Sequence, residues 1–320
     1  MTAAEKGRCS FGHSLIFLVI LAFLAQPARA QDCFYSECVP KATFSEHVAM
    51  VGINSLLGGI SAGVLRLARG DHISDAFLDG FLRGAAGGAV SYGGKGVAAQ
   101  EFWGAGLLGR QVAALGISTI ANAGDGVPPF SRLVLSLGPL PGRLVISRGE
   151  SGLSLQPKAD LISTIAVLYG IASPEYDTDW NASLSGGIAV FREDSPLPDD
   201  ATLEDIWRAR ARAKSIARAT GGSIAGATTV GGAVFVSYLA PDARVIAHER
   251  VHTIQFDFLL GAGGDQIDTW VMRMAPGVDR WLKINLVPAL FGAVNQTFFI
   301  QMDYDDLPWE REASLLSGYR

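Results

Sequence analysis

The segment PDARVIAHERVHTIQFDF, residues 241–258, decides how this chain is read. Pro241 suits the opening of a helix, and Val245, Ile246, Val251 and Ile254 supply apolar positions at helical spacing. His248 and His252 are four residues apart, so they leave one face of that helix a single turn apart. Glu249 lies about 100° around the helix from His248. Arg250 is expected to point to solvent, away from the histidine face.

Two imidazoles one turn apart can share a zinc ion, and Glu249 then reaches a metal-bound water rather than the metal. The pattern resembles the H-E-x-x-H metallopeptidases, in which that glutamate is the general base. A third histidine six residues on would mark the metzincin form, but that position is Phe258, and Gln255 replaces its glycine. No histidine follows His252, so a carboxylate is expected as third ligand, and the only downstream glutamates are Glu310 and Glu312. Pro308 suits the first position of a short helix carrying both. This is similar to the gluzincins, whose third ligand is a glutamate on a downstream helix, often as E-x-x-A followed by an acid. Glu310 and Ala313 fit that form, while Ser314 stands where the acid would be.

The resemblance implies a zinc site of His248, His252 and Glu310, with Glu249 catalytic and a peptide or protein as substrate. On a helix Glu310 and Glu312 are about 200° apart, so only one can face the metal. Glu312 remains the alternative ligand; if Glu310 is the ligand, Glu312 is expected to face solvent or pair with a nearby arginine. Asp303, Asp305 and Asp306 are the candidates if neither glutamate serves. Tyr304 and Tyr319 are candidates for the oxyanion partner by nearness in sequence alone. The continuation His252-Thr253-Ile254-Gln255 also looks like the H-E-x-x-H-T-x-Q form of bacterial membrane or envelope proteins.

The N-terminus reads as an export signal. Lys6 and Arg8 precede the apolar run Leu15–Ala25, and Ala28-Arg29-Ala30 has the form of a cleavage site. Residues 1–30 are therefore read as a signal peptide and Gln31 as the first mature residue, bound for the periplasm or cell envelope. In that oxidising setting Cys33 and Cys38 are expected to form a disulfide.

Between these ends the composition changes twice. Eighteen of the 38 glycines lie between Gly52 and Gly126. Gly80, Gly84 and Gly88 make one smooth helical stripe, and Gly59 and Gly63 repeat the spacing. Such stripes let helix backbones approach closely. Helices are expected near 44–68, 72–90 and 97–122, with membrane association through residues 44–122 as one reading of their apolar character. Asp75, Asp79 and Arg83 mark a wet face on the second. Gly124 to Pro129 is a break. Leu133 to Leu137, Leu144 to Ser147, Leu153 to Leu155 and Ile188 to Phe191 then alternate as strands. Thr202, with Asp205 three residues on, caps an arginine-rich helix running to about Thr220. Val230 to Leu239 reads as one buried strand, and the apolar segment 284–302 leads back to Glu310.

The fold class expected is α+β: a glycine-rich helical layer (31–126), an antiparallel meander or small barrel (127–198), and a zincin-like C-terminal region (199–320). A net charge of −5 excludes the basic footprint of a nucleic-acid binder. No strand followed by G-x-G-x-x-G precedes the glycine helices, so no nucleotide site is expected. The function expected is zinc-dependent peptide hydrolysis. The alternative is a non-catalytic envelope protein in which zinc is structural.

Overall fold

The computed structural model describes residues 42–149, 152–194, 202, 204–205, 208, 227–237, 243–259, 282–283 and 308–318. The signal segment, Cys33 and Cys38, the arginine-rich helix beyond its start, the 284–302 segment, Asp303, Asp305, Asp306, Tyr304 and Tyr319 lie outside them. What is described is mixed α+β.

Helix α1 (Phe44–Ala68) begins with a capping box, in which the Thr43 hydroxyl accepts from the Glu46 N–H and the Glu46 carboxylate accepts from the Thr43 N–H. Helix α2 is continuous through Ile73–Asp75, a π-helical turn Ala76–Phe81, and Leu82–Ala98. Helix α3 is Ala105–Gly124. The expected second helix ended near residue 90 and the third began at 97. Instead α2 runs on to Ala98, because its later glycines make contacts. A Cβ on Gly94 would stand 2.6 Å from the Gly109 carbonyl oxygen of α3. The earlier stripe works the same way: a Cβ on Gly84 or Gly88 would collide with the backbone of Gly58 or Asn54 in α1. The wet face is present, with Arg83 bonded to Asp79 at 2.8 Å and Arg66 bonded to both Asp71 and Asp79. Among the described residues α1 is the one helix long and apolar enough to cross a membrane.

Strands β1 (Arg132–Ser136), β2 (Gly142–Gly149) and β3 (Gly152–Asp160) pair antiparallel, but the strand expected with them at Ile188 to Phe191 belongs to a separate sheet. A two-residue strand, β8 (Leu282–Lys283), adds parallel to β3, and this sheet is not a closed barrel. It is tied to α3: Ser118 Oγ accepts from Val134 N–H at 2.9 Å and Gln111 donates to the Ser136 carbonyl at 3.0 Å.

Helix α4 (Leu161–Ala172), strand β4 (Tyr176–Thr178), helix α5 (Trp180–Gly186) and strand β5 (Ala189–Glu193) follow. The second sheet has the order β4-β5-β7-β6, with β6 (Ala227–Val230) and β7 (Ala233–Val236) as its later strands. The single strand expected from Val230 to Leu239 is thus a hairpin. Val230 pairs with Ala233 across Gly231-Gly232, and Gly231 has φ +59°, which a side chain rarely adopts. A pair of glycines between apolar β-branched runs was the signal in the sequence. Thr202 does cap a helix start, by reciprocal bonds with Asp205.

Helix α6 (Ala243–Leu259) joins the layers. Val245 and Ile246 pack on Ile188, Val190, Val234 and Val236 of the second sheet. Val251 meets Ala99 and Ala313, and Ile254 meets Ala98 and Ala113. Phe258 ends among Ala62, Ile117, Ile120 and Ala123 of the glycine layer. A helix with apolar contacts all round is a buried one. Each such fully buried side chain contributes about 1.5–3 kcal/mol. The last helix, α7 (Pro308–Ser317), packs against α6.

Candidate metal centre

The two histidines are set by α6 and the carboxylate by α7. His248 Nε2 and His252 Nε2 are 2.9 Å apart, and Glu310 Oε2 lies 3.2 Å from the first and 3.1 Å from the second. In a zinc tetrahedron with bonds of about 2.0–2.1 Å, neighbouring ligand atoms stand about 3.3 Å apart. The three atoms therefore form a triangle of the size that one zinc ion needs. Residues 248 and 310 are buried, and residue 252 is half-buried. Of the two glutamates left open by the sequence, Glu310 is the one that faces the histidines.

Glu249 belongs to the same group, with a ligand atom within 4.8 Å of those of His248 and His252. Thr229 of β6 donates its hydroxyl to Glu249 Oε2 at 2.5 Å. That bond fixes one carboxylate oxygen and leaves Oε1 without a hydrogen-bond partner among the described residues. Nothing in the sequence marked Thr229, because only the hairpin brings β6 beside α6.

Two expectations are overturned. Glu312 was expected at the surface or on an arginine, and it is buried, pairing with Lys95 at 2.8 Å. Its Oε1 accepts from Asn54 Nδ2 at 2.7 Å, and its Oε2 also accepts from Gln255 Nε2 at 2.8 Å. Gln255 Oε1 in turn lies 2.7 Å from His252 Nδ1. A chain of polar contacts thus runs from Lys95 and Asn54 in the glycine layer, through Glu312 and Gln255, to the His252 imidazole. It supplies the orienting partner that Ser314 cannot. With Nδ1–H donated to Gln255, the neutral ring would carry its lone pair on Nε2, the atom a metal would take. Burial alone would raise the Glu312 carboxyl, but Lys95, Gln255 and Asn54 outweigh it and hold it below the ordinary range.

Arg250 was expected in solvent and is also buried. Its guanidinium crosses Gly186, where a Cβ would stand 3.0 Å from Nε. Burial lowers its pKa. The helix has apolar neighbours on every side, so its variable positions have no water to turn to.

His252 shows what the pocket favours without an ion. Burial disfavours its charged form, but the bond to Glu310 and the charges of Glu249 and Glu310 prevail, lifting it from 6.5 to about 9. The site has the negative potential a cation would fill. The far end of α6 is pinned by Asp257, which takes Arg110 at 3.0 Å and Arg143 at 3.5 Å.

Comparison with family models, curated proteins and solved structures finds no match.

Proposed function

We propose that this chain is an exported zinc-dependent peptidase of the periplasm or cell envelope. The observation that carries the reading is the triangle of His248 Nε2, His252 Nε2 and Glu310 Oε2, with edges of 2.9–3.2 Å, beside the carboxylate of Glu249. Two imidazoles and a carboxylate are a donor set that suits zinc and leaves a fourth position for water or substrate. When bound, zinc supplies a Lewis acid and lowers the pKa of a water to near 7. Glu249 Oε1 accepts the proton of the attacking water while Thr229 holds Oε2 in place. The water oxygen bonds to the peptide carbonyl carbon, and the C–N bond breaks as Glu249 passes its proton to the leaving nitrogen.

One observation favours a second reading, that zinc is structural. His248 and Glu310 are only 7% and 6% exposed, as in a closed site tying α7 to the core. Metal analysis of the purified protein, with peptide-library digestion by wild type and Glu249→Gln, separates the two. The peptidase reading expects about one zinc per chain in both and cleavage only in wild type. Zinc in both with cleavage in neither supports the structural reading.

A further inference from the structure

We propose that the outer face of α1, with the adjoining start of α2, lies along the surface of a lipid bilayer and dips into it, without crossing it. The large apolar residues of α1 point away from the protein. Ile53, Leu56, Leu57, Ile60, Val64 and Leu67 are 40–56% exposed and project from one face of the helix. The inner face of the same helix is small, with Gly58, Gly59, Ala62 and Gly63 all buried. A helix at a water-facing surface has the reverse arrangement, with its bulk turned inward. Here backbone contact between glycines holds the layer together, and the apolar bulk is left for another phase.

The stripe from Ile53 to Leu67 carries no charged side chain and is about 21 Å long at 1.5 Å per residue. Phe77, Leu78 and Leu82 of α2 are 60–66% exposed and extend the apolar surface sideways. Arg66, Asp71, Asp79 and Arg83 gather at one end and are bonded to one another, with exposed Asp75 at the same end. A protein partner is generally met by a patch with polar atoms that set register. This stripe offers none, which suits a fluid apolar phase.

The orientation follows from what lies behind the stripe. Asn54 sits midway along α1 on its inner side, bonded to the buried Glu312 and Lys95. Beyond α3 lies a sheet bonded to its Ser118 and Gln111. An upright α1 would bring ion pair, sheet edges and metal centre to hydrocarbon depth, where unsatisfied backbone and charge are costly. With α1 flat, the stripe alone enters the acyl boundary, to a depth of roughly 5–10 Å. The metal centre then stands one helix layer above the lipid.

The test uses the chain from Gln31 onward, so that the apolar run Leu15–Ala25 cannot bind in its place. Flotation with neutral phosphatidylcholine vesicles should carry the protein up, unaffected by salt because the face is uncharged. The double variant Ile53→Glu, Leu57→Glu should keep its circular dichroism and lose flotation. For depth, single cysteines at Ile53, Ile60 and Leu67, with Cys33 and Cys38 changed to serine, take an environment-sensitive dye. Lipids quenched at graded depths should report the same shallow level at all three. No flotation, or flotation that survives the double variant, would overturn the proposal and mean that chain or protein covers the face. A profile deepest at Ile60 and shallow at its flanks would overturn the flat orientation in favour of a span. None of these readouts depends on zinc or activity.

Discussion

Replacing Gln255 by leucine tests whether the polar chain behind the metal centre holds His252 for zinc. The side chain lies 2.7 Å from His252 Nδ1 through Oε1, and its Nε2 donates to Glu312 at 2.8 Å and to the Trp309 carbonyl at 3.0 Å. Leucine is close in size and removes all three contacts. Loss of a partner that orients a ligand histidine typically weakens metal binding 10–100-fold, or about 1.4–2.8 kcal/mol. Glu312 keeps Lys95 and Asn54, so no charge is stranded and the fold survives. Competition with a chromophoric chelator measures zinc affinity, and melting of the metal-free chain runs in parallel. Thr253→Val is the control: it removes a buried bond to the Arg250 carbonyl on the same helix, so stability should fall with zinc affinity unchanged. If a folded Gln255→Leu protein binds zinc as tightly as wild type, His252 does not depend on Gln255 and the wiring argument is wrong. Gln255→Glu refines the test. It keeps an acceptor for His252 but sets a second carboxylate against Glu312, so zinc binding should recover while stability drops.

Four further outcomes are expected. His248→Ala, His252→Ala or Glu310→Gln should abolish or sharply weaken zinc binding, read by metal analysis after gel filtration. Glu249→Gln should keep zinc and lose hydrolysis by at least ~10²-fold on whatever peptide the wild type cleaves. Glu312→Gln should leave buried Lys95 with Asn54 but without its carboxylate; breaking such a buried pair costs about 3–5 kcal/mol, visible as a lowered Tm. In the metal-free chain the raised pKa of His252, about 9, means the protonated ring stabilises the fold fully below its ordinary 6.5. That contribution is lost as pH rises through 9, so melting in chelator should fall across this window while zinc affinity climbs, zinc having one proton fewer to displace.

The helix period around His248 and the E-x-x-A spacing at Glu310 were legible because both are local. A four-residue spacing fixes a face, and a proline fixes a start. The glycine stripes were legible for the same reason, and they located helix contacts that the structure realises at Gly84 and Gly88, although the glycine they meet on α1 is Gly58 rather than Gly59 or Gly63. What could not be read was set by distance along the chain. Thr229 reaches Glu249 only because Gly231-Gly232 folds β6 back beside α6, and Asn54 reaches Glu312 across 258 residues. Arg250 and Glu312 were misplaced by one rule, that a charge goes to water. That rule fails where a helix is surrounded, and there a charge must find a partner or a glycine to lie on.

On the proposed reading of the site, the buried pair Lys95–Glu312 would give the glycine layer a part in the chemistry. Taking two charges out of water is unfavourable, and apolar residues of the same shape would stabilise the fold at least as well. The pair is sustained by a full set of partners, since Asn54 bonds both ions and Gln255 bonds the carboxylate. Its geometric effect is to tie α1, α2, α6 and α7 at one point, two side chains from the metal-facing ring of His252. Ala98 and Ala113 close on Ile254 just beside it, so α6 can shift only if α2 and α3 shift too. The glycines that bring those helices together therefore position the imidazole as surely as Gln255 does. On that argument Gly94→Ala, far from the zinc in sequence and touching none of its ligands, should weaken zinc binding as well as stability. Its Cβ would stand 2.6 Å from the Gly109 oxygen and force α2 and α3 apart where Ile254 rests. If Gly94→Ala lowers the Tm and leaves zinc affinity at the wild-type value, the glycine layer is a scaffold and nothing more.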